Sequence, residues 1–220
     1  MGNTSDNDNQ NNVEMTFEER RFSAQALYAE SIFQYSVGDI DAAIHSLEYA
    51  LNIDSEYAPA IMTMGSIEYQ RQNFVRGKKL FLSLLSLLPR AADGGEVELA
   101  DIIEEAGDFL IQSGYYLDGL ELFRAALDRF PNRATCYLGI SCCASHEGFL
   151  DEALEAAEKA YKLDPENQKC VNDFGWSLFE VGRLDEAGKM LSRSVEMDPS
   201  DELARENLRL CKEAIDKRGR

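Results

Sequence analysis

The chain repeats part of its sequence at a period of 34 residues. Leu-Asp-Glu-Ala occurs at Leu150–Ala153 and again at Leu184–Ala187, and Asp-Pro occurs at Asp164–Pro165 and again at Asp198–Pro199. A period of this length is typical of folds in which one small supersecondary unit stacks on copies of itself. Stepping by the same period, with eight extra residues before the third copy, aligns five repeats. They cover residues 24–57, 58–91, 100–133, 134–167 and 168–201.

Equivalent positions of the repeats predict two helices in each copy. In the second half of a repeat a small residue is usually followed four positions later by a large apolar one, and this spacing defines one face of a helix. A glycine in the middle of most repeats predicts a turn, and a proline near the end predicts a helix stop. The turn column reads Gly38, Gln72, Gly114, Gly148 and Gly182, and the closing column reads Ser55, Pro89, Pro131, Pro165 and Pro199.

These columns resemble the tetratricopeptide repeat, an antiparallel pair of helices with the same period. The resemblance implies an all-α, right-handed superhelical solenoid of five helix-turn-helix repeats. A solenoid has to cover its last open face, and the apolar stripe of residues 202–217 predicts a capping helix there. The fifth repeat carries the pattern in Val171, Phe174, Gly175, Leu178, Ala187, Leu191 and Pro199. The capping stripe consists of Ala204, Leu208, Cys211 and Ile215.

Local composition and spacing predict the structure of the segments before and between the repeats. Residues 1–15 are polar and rich in Asn, which predicts a disordered tail. Thr16 and Glu19 have the spacing of a capping box and should begin the first helix of a solenoid domain that covers residues 16–220. The extra residues 91–98 are expected to lengthen either a loop between repeats or the helix that follows.

The charge balance and the lack of apolar segments exclude several classes of partner. A net charge of −18 argues against nucleic acid, because binding phosphates requires clustered cations. The longest apolar run, residues 80–88, is too short to span a bilayer, so no membrane partner is expected. The N-terminus lacks the apolar core of a signal peptide. These features predict a cytoplasmic protein.

No pattern of residues predicts catalysis, a cofactor or a metal site. The five cysteines form no Cys-x-x-Cys pair, and His45 and His146 lie far apart without other ligands near them. Cysteines of this kind are expected to be free thiols in a reducing compartment. No glycine-rich phosphate loop and no nucleophile motif occurs. The chain is therefore predicted not to be an enzyme. The cysteines are Cys136, Cys142, Cys143, Cys170 and Cys211, and the first, third and fourth occupy core columns.

The family resemblance implies that the first helix of each pair lines a concave groove. Large apolar side chains recur there outside the packing columns, and clustered exposed aromatics are typical binding anchors. The alternative is that they pack on neighbouring side chains. Acids of the third repeat share one helix face, which is either a solvated surface or an attraction for a peptide that carries Lys or Arg. The predicted partner-binding residues are Tyr28, Ile32, Tyr35, Met62, Tyr69, Asp101, Glu104, Glu105, Asp108, Leu138, Asn172 and Trp176.

The predicted function is a non-catalytic adaptor or chaperone that holds a peptide segment of another protein. Some members of the family clamp a partner's terminal carboxylate with Lys, Asn and Arg. This mode is not expected, because the equivalent positions here carry Tyr28, Ile32, Met62, Thr63, Asp101 and Glu105. One alternative is a secretion-type chaperone for an exported client. Another is a regulatory subunit or self-associating scaffold, a homo-oligomer joined through its acidic first repeat and basic second repeat.

Overall fold

The computed structural model describes residues 15–87 and 96–218, without the side chains of residues 96–98. Within these ranges the chain forms eleven α-helices and no strand. Residues 1–14 of the predicted tail, Pro89 and most of the extra residues lie outside the described residues. The helices are α1 (Phe17–Ser36), α2 (Ile40–Ile53), α3 (Ala58–Gln70), α4 (Phe74–Leu84), α5 (Glu96–Gln112), α6 (Tyr116–Arg129), α7 (Ala134–His146), α8 (Leu150–Leu163), α9 (Gln168–Glu180), α10 (Leu184–Met197) and α11 (Glu202–Arg218).

The chain divides into two compact units, Met1–Ile61 and Met62–Arg220, which we call the N-terminal and C-terminal units. In the N-terminal unit α1 begins at the predicted capping box. The Thr16 hydroxyl accepts a hydrogen bond from the Glu19 amide at 3.2 Å, and the Glu19 carboxylate accepts one from the Thr16 amide at 2.8 Å. Both bonds satisfy backbone donors that a helix start leaves without a partner. The predicted start of α1 is therefore confirmed.

A buried ion pair ties the start of α1 to the end of α2. Arg21 Nε lies 3.1 Å from Asp54 Oδ2, and both side chains are almost fully buried. The Arg21 guanidinium also lies 5.1 Å from the centre of the Tyr57 ring, which favours a cation through its quadrupole. Arg21 lies before the first repeat, so the repeat alignment did not predict this pair.

The predicted turn column is confirmed by the backbone. Gly38, Gly114, Gly148 and Gly182 have φ between 77° and 85°, and Gln72 has φ 64°. A residue with positive φ reverses the chain after a helix, and glycine adopts this conformation without strain. Gln72 adopts it with a side chain, at a steric cost of about 1–2 kcal/mol.

Small residues of the first helices let the paired helices of the C-terminal unit approach closely, as their columns predict. A Cβ atom added to Gly65 of α3 would lie 2.4 Å from the Phe81 ring of α4. One added to Gly107 of α5 would lie 2.2 Å from the Phe123 ring of α6. Each phenylalanine therefore fills the space that the glycine leaves, and both rings are buried.

The helices of the C-terminal unit stack in order, and this order positions the groove described below. Each helix from α5 to α11 packs on the next, and α5, α7, α9 and α11 also contact one another in sequence. The predicted packing of α11 is confirmed, because Cys211 is buried and Leu208 and Ile215 pack on a cluster of α9 and α10. Helix α5 begins at Glu96, so the last of the extra residues lengthen this helix. No described helix has the length and hydropathy needed to cross a membrane.

Candidate binding groove

Two adjoining cavities run along the first helices of the C-terminal unit. One lies among α5, α7 and α9 and has a volume of about 580 Å³. The other lies among α7, α9 and α11 and has a volume of about 660 Å³. Cys142 and Asp173 line both cavities, so we treat them as one groove. The lining comes almost entirely from the first helices and α11.

Five of the predicted binding residues line this groove. Glu104, Asp108 and Leu138 line the first cavity, and Asn172 and Trp176 line the second. They are contributed by α5, α7 and α9, so the spacing of the columns placed them on the same side. Asn172 is almost fully buried and forms part of the floor, while Trp176 is partly exposed.

Two further predicted acids, Asp101 and Glu105, line neither cavity. Arg133, which precedes α7, occupies much of the acidic face of α5. Its Nη2 lies 2.7 Å from Asp101 Oδ1, and its Nε lies 2.8 Å from Glu104 Oε1. The hydrogen bond to Glu104, followed by that to Asp101, raises the pKa of the Arg133 guanidinium. Two of the four predicted acids therefore share one guanidinium charge within the protein, while Glu105 is exposed.

The prediction that Tyr69 faces the groove is wrong. Its side chain is 1 % exposed and lies in an aromatic cluster, stacked on Phe81 with ring centres 5.4 Å apart. Its hydroxyl donates a hydrogen bond to Asp118 Oδ2 at 2.9 Å, and burial raises the pKa of the phenol. The column of Tyr69 also contains Tyr35 and Phe179, which are not buried, so position in the repeat did not distinguish them.

The remaining predicted anchors lie outside the groove residues. Ile32 and Tyr35 are exposed on α1 of the N-terminal unit. Tyr28 of the same unit is half-buried and meets Tyr57 edge-on, with ring centres 5.6 Å apart. Met62, in the C-terminal unit, is half-buried and lines neither cavity. Tyr28 thus packs partly on a neighbouring side chain, which was the alternative to partner binding, whereas Ile32 and Tyr35 expose apolar surface.

The two aspartates of the groove, partly buried Asp173 and exposed Asp108, both have raised pKa values. Burial raises the pKa of Asp173 to about 6, although an amide hydrogen bond from Asn172 and the charge of Lys169 oppose the shift. Burial, together with the nearby Glu104 carboxylate, also raises the pKa of Asp108. Lys169 is the one lysine that lines the first cavity, and Arg133 lies outside its lining. The groove therefore has an acidic centre.

The second cavity combines apolar and polar groups that the sequence did not bring together. Its lining includes Trp176, Leu203 and Leu210, and the exposed leucine Leu203 is accessible over 62 % of its surface. Glu180 accepts hydrogen bonds from the Ser145 hydroxyl at 2.7 and 2.8 Å. The sequence analysis missed Asp173 and Glu180 because they lie outside the groove columns of α9, and it missed the α11 residues because α11 was interpreted only as a packing element. Asp173 and Glu180 each come one position after a groove column, and this spacing could have predicted that they line the groove.

The cysteines are protonated thiols with little reactivity. All five are free. Cys136, Cys143 and Cys170 are buried, as their core columns predict. Burial raises the pKa of Cys136 and Cys143 to about 12, and it raises the pKa of Cys142 and Cys170 to about 11. A thiolate is the reactive form, so these values disfavour nucleophilic chemistry at neutral pH. The described residues hold no group of three or more side chains suited to a metal ion.

Comparisons with known proteins agree with this architecture. Residues 104–169 and 144–209 each match a model described as "Tetratricopeptide repeat". The small glutamine-rich tetratricopeptide repeat-containing protein 2 of Mycosarcoma maydis is 28 % identical over 116 residues, which cover 53 % of this chain and 33 % of that protein. The chain spans a third or less of the length of the curated relatives that it matches.

Two solved structures share the fold. YrrB, described as a TPR protein with an unusual peptide-binding site, is 20 % identical with a TM-score of 0.56, over 86 % of this chain and 93 % of that one. The first TPR of Spaghetti (RPAP3), bound to the HSP90 peptide SRMEEVD, is 20 % identical with a TM-score of 0.50, over 53 % of this chain and 93 % of that one. With its paired helices, left-handed turn residues and two family-model matches, the chain contains tetratricopeptide repeats over residues 104–209.

Proposed function

We propose that the protein is a non-catalytic adaptor or chaperone that holds an extended peptide segment of a partner protein. The observation that carries the proposal is the continuous groove of α5, α7, α9 and α11, which is lined by Leu138, Trp176, Asp108 and Asp173. Peptide binding by related folds, namely the RPAP3 repeat and YrrB, supports it. Five free thiols support a reducing, cytoplasmic location.

The charge of the groove selects the kind of segment. Asp108 and Asp173 line it beside a single lysine, Lys169. Complementary charge steers association and rejects wrong partners. We therefore expect a segment with Lys or Arg between apolar anchors. The acidic peptide bound to the RPAP3 repeat would be repelled here, and its mode of binding is not proposed.

Selection of peptides from a random phage-displayed library tests this proposal. Enriched sequences should contain Lys or Arg with apolar residues, and Asp108→Lys should weaken their binding about tenfold, because it reverses charge in the groove. Glu196→Lys on α10 is the matched control, since Glu196 is exposed and lines neither cavity. Fluorescence polarisation measures both variants. Acidic consensus peptides, or equal binding to both variants, would contradict the proposal.

An exported client or a larger complex would use the same groove, so a secretion-type chaperone and a regulatory subunit are special cases of this proposal. Their difference lies in the identity of the partner. A crosslinking amino acid in place of Leu138 would capture the partner, and mass spectrometry would then identify it and distinguish the two cases.

A second candidate function is a self-associating scaffold. It is favoured by exposed apolar side chains with opposite charges beside them. Phe22 and Phe33 of α1 are 74 % and 66 % exposed on a helix that carries the acids Glu18, Glu19 and Glu30 and one exposed cation, Arg20. Val75 of α4 is 87 % exposed, and the nearby Arg71 and Lys79 are exposed as well.

The basic surface of the second repeat, which this candidate would use, is smaller than the sequence predicted. Lys78 Nζ pairs with Asp118 and Glu121 at 2.9 and 2.7 Å, and Arg76 pairs with Glu68 at 2.9 Å. Packing of α1 of one copy on α4 of another would be head-to-tail and weakened by salt. Light scattering should then detect oligomers that dissociate at high salt. A monomer at every salt and protein concentration would exclude this candidate.

A further inference from the structure

The cavity among α7, α9 and α11, which we call the α9–α11 pocket, has an unusual combination of linings. Trp176, Leu203 and Leu210 supply apolar surface, and Asp173 and Glu180 supply carboxylates. Neither Lys nor Arg lines it. A third carboxylate, Glu206, is already engaged by Arg209 at 2.6 Å.

The floor of the α9–α11 pocket holds its acid in place without neutralising it. The Asn207 amide donates to Asn172 Oδ1 at 3.2 Å, and the Asn172 amide donates to Asp173 Oδ1 at 3.3 Å. Both asparagines are almost fully buried. This chain of neutral amides fixes the orientation of Asp173 from two helices. His146 also lines the pocket, and its ring stacks on Tyr116 with centres 4.0 Å apart.

From this geometry we infer that the α9–α11 pocket binds the side chain of one arginine in the partner segment. The guanidinium is planar, forms paired hydrogen bonds to carboxylates and stacks on aromatic faces. Asp173 and Glu180 provide the carboxylates, and the Trp176 indole provides the aromatic face. Leu203 and Leu210 contact the apolar stem of the arginine. The inference rests on the proposed function and names the residue that the groove recognises.

The electrostatics of Asp173 agree with a cationic occupant and predict the pH dependence of binding. Its carboxylate, with a pKa raised to about 6 by burial, is ionised at pH 7.5 and becomes neutral as the pH falls to 5. A cation binds the ionised form, so affinity should fall over this range. The other charged or titratable groups around it are Lys169 and Glu180 of α9, His146 of α7, Asp108 of α5, Asp201 before α11 and Glu206 of α11. Cys142 of α7 is a protonated thiol at both pH values.

Trp176 is the only tryptophan of the chain, so its fluorescence reports on the pocket directly. The probe is acetyl-Leu-Gly-Arg-Gly-Leu-amide, compared with the same peptide in which neutral citrulline replaces arginine. The arginine peptide should change the fluorescence in a saturable way and bind about tenfold more tightly than the citrulline peptide at pH 7.5. Calorimetry provides a second measurement of the same affinities.

Conservative variants show which carboxylates act. Asp173→Asn and Glu180→Gln should each weaken the arginine peptide about fivefold or more and leave the citrulline peptide unchanged. Asp173→Asn should also remove most of the weakening between pH 7.5 and 5. Glu196→Gln is the control, because Glu196 lies outside the groove.

Equal affinity for the two peptides, or no binding of either, would overturn the arginine pocket. Library peptides that bind the groove without depending on Asp173 or on arginine would leave the adaptor function in place and refute only this inference. Loss of library binding altogether would refute the adaptor function instead. The two proposals therefore fail in different experiments.

Discussion

At the scale of single residues, the ion pair of Arg21 and Asp54 is the clearest case of a buried charge whose partner is essential. Removing Asp54 takes away the carboxylate that faces the buried Arg21 guanidinium, and the loss of one member of a buried ion pair costs several kcal/mol. Asp54→Asn should lower the free energy of unfolding by about 3 kcal/mol. The double variant Arg21→Met with Asp54→Asn should lose less, because no charge is then left buried. Urea unfolding followed by circular dichroism measures both, and a larger loss in the double variant would contradict this account.

Asp173 should reduce the stability of the protein without a ligand. Its folded-state pKa lies near 6 and above the ordinary value of 3.8, so the folded state disfavours the ionised form. The resulting destabilisation is absent below the unfolded-state pKa, grows as the pH rises between these values, and is complete above the folded-state pKa. A binding carboxylate that costs stability is a common compromise at functional sites.

The corresponding prediction is that Asp173→Asn stabilises the protein at neutral pH while it weakens binding of the arginine peptide. We expect the free energy of unfolding to rise by about 1 kcal/mol at pH 7.5, a value reduced from the full pKa shift because the side chain is partly exposed. At pH 4.5 the gain should be much smaller. Urea unfolding at both pH values is the measurement, and a destabilised variant at pH 7.5 would refute the assignment.

At the scale of helices and turns, Gln72 is the exception in a column of glycines. Its φ of 64° places a side chain in the left-handed region, where the glycines of the other turns have none. Gln72→Gly should raise the free energy of unfolding by about 1 kcal/mol. The reciprocal change Gly148→Gln should lower it by a similar amount, since φ there is 77° and no atom lies within 4 Å of an added Cβ. Equal and opposite shifts in thermal melting would support the explanation.

Elements were predictable from the sequence where a local pattern fixes them. The turn residues, the capping box of Thr16 and the apolar stripe of α11 depend on spacing within one element, and the structure confirms them. Contacts between repeats were not predictable in the same way. Arg133 reaches Asp101 and Glu104 across a whole helix pair, and Tyr69 is covered by side chains of α4 and α5. The periodic pattern defines which face a residue occupies, but not which long side chain from a neighbouring helix covers it.

At the scale of the whole molecule, the helices of the C-terminal unit stack in order. The stability of this unit is therefore the sum of contributions from each repeat and from its contacts with the neighbouring repeats. Each helix contacts its near neighbours in the chain, as in other repeat proteins. A defect at one end should therefore open the adjacent helices and leave more distant ones protected. A protein with one shared core would instead lose protection everywhere.

Leu208 of α11 provides the test, because it packs on the cluster of α9 and α10. Leu208→Asp places a charge at this contact, and amide hydrogen exchange in α9–α11 should accelerate at least tenfold, while α5 and α6 keep their protection. Leu203→Asp is the matched control, the same substitution on the same helix at a side chain that is 62 % exposed. Mass spectrometry of peptic fragments resolves the helices separately. Uniform acceleration across α5–α11 would show that the C-terminal unit opens as a single cooperative body and that the local description of its stability is wrong.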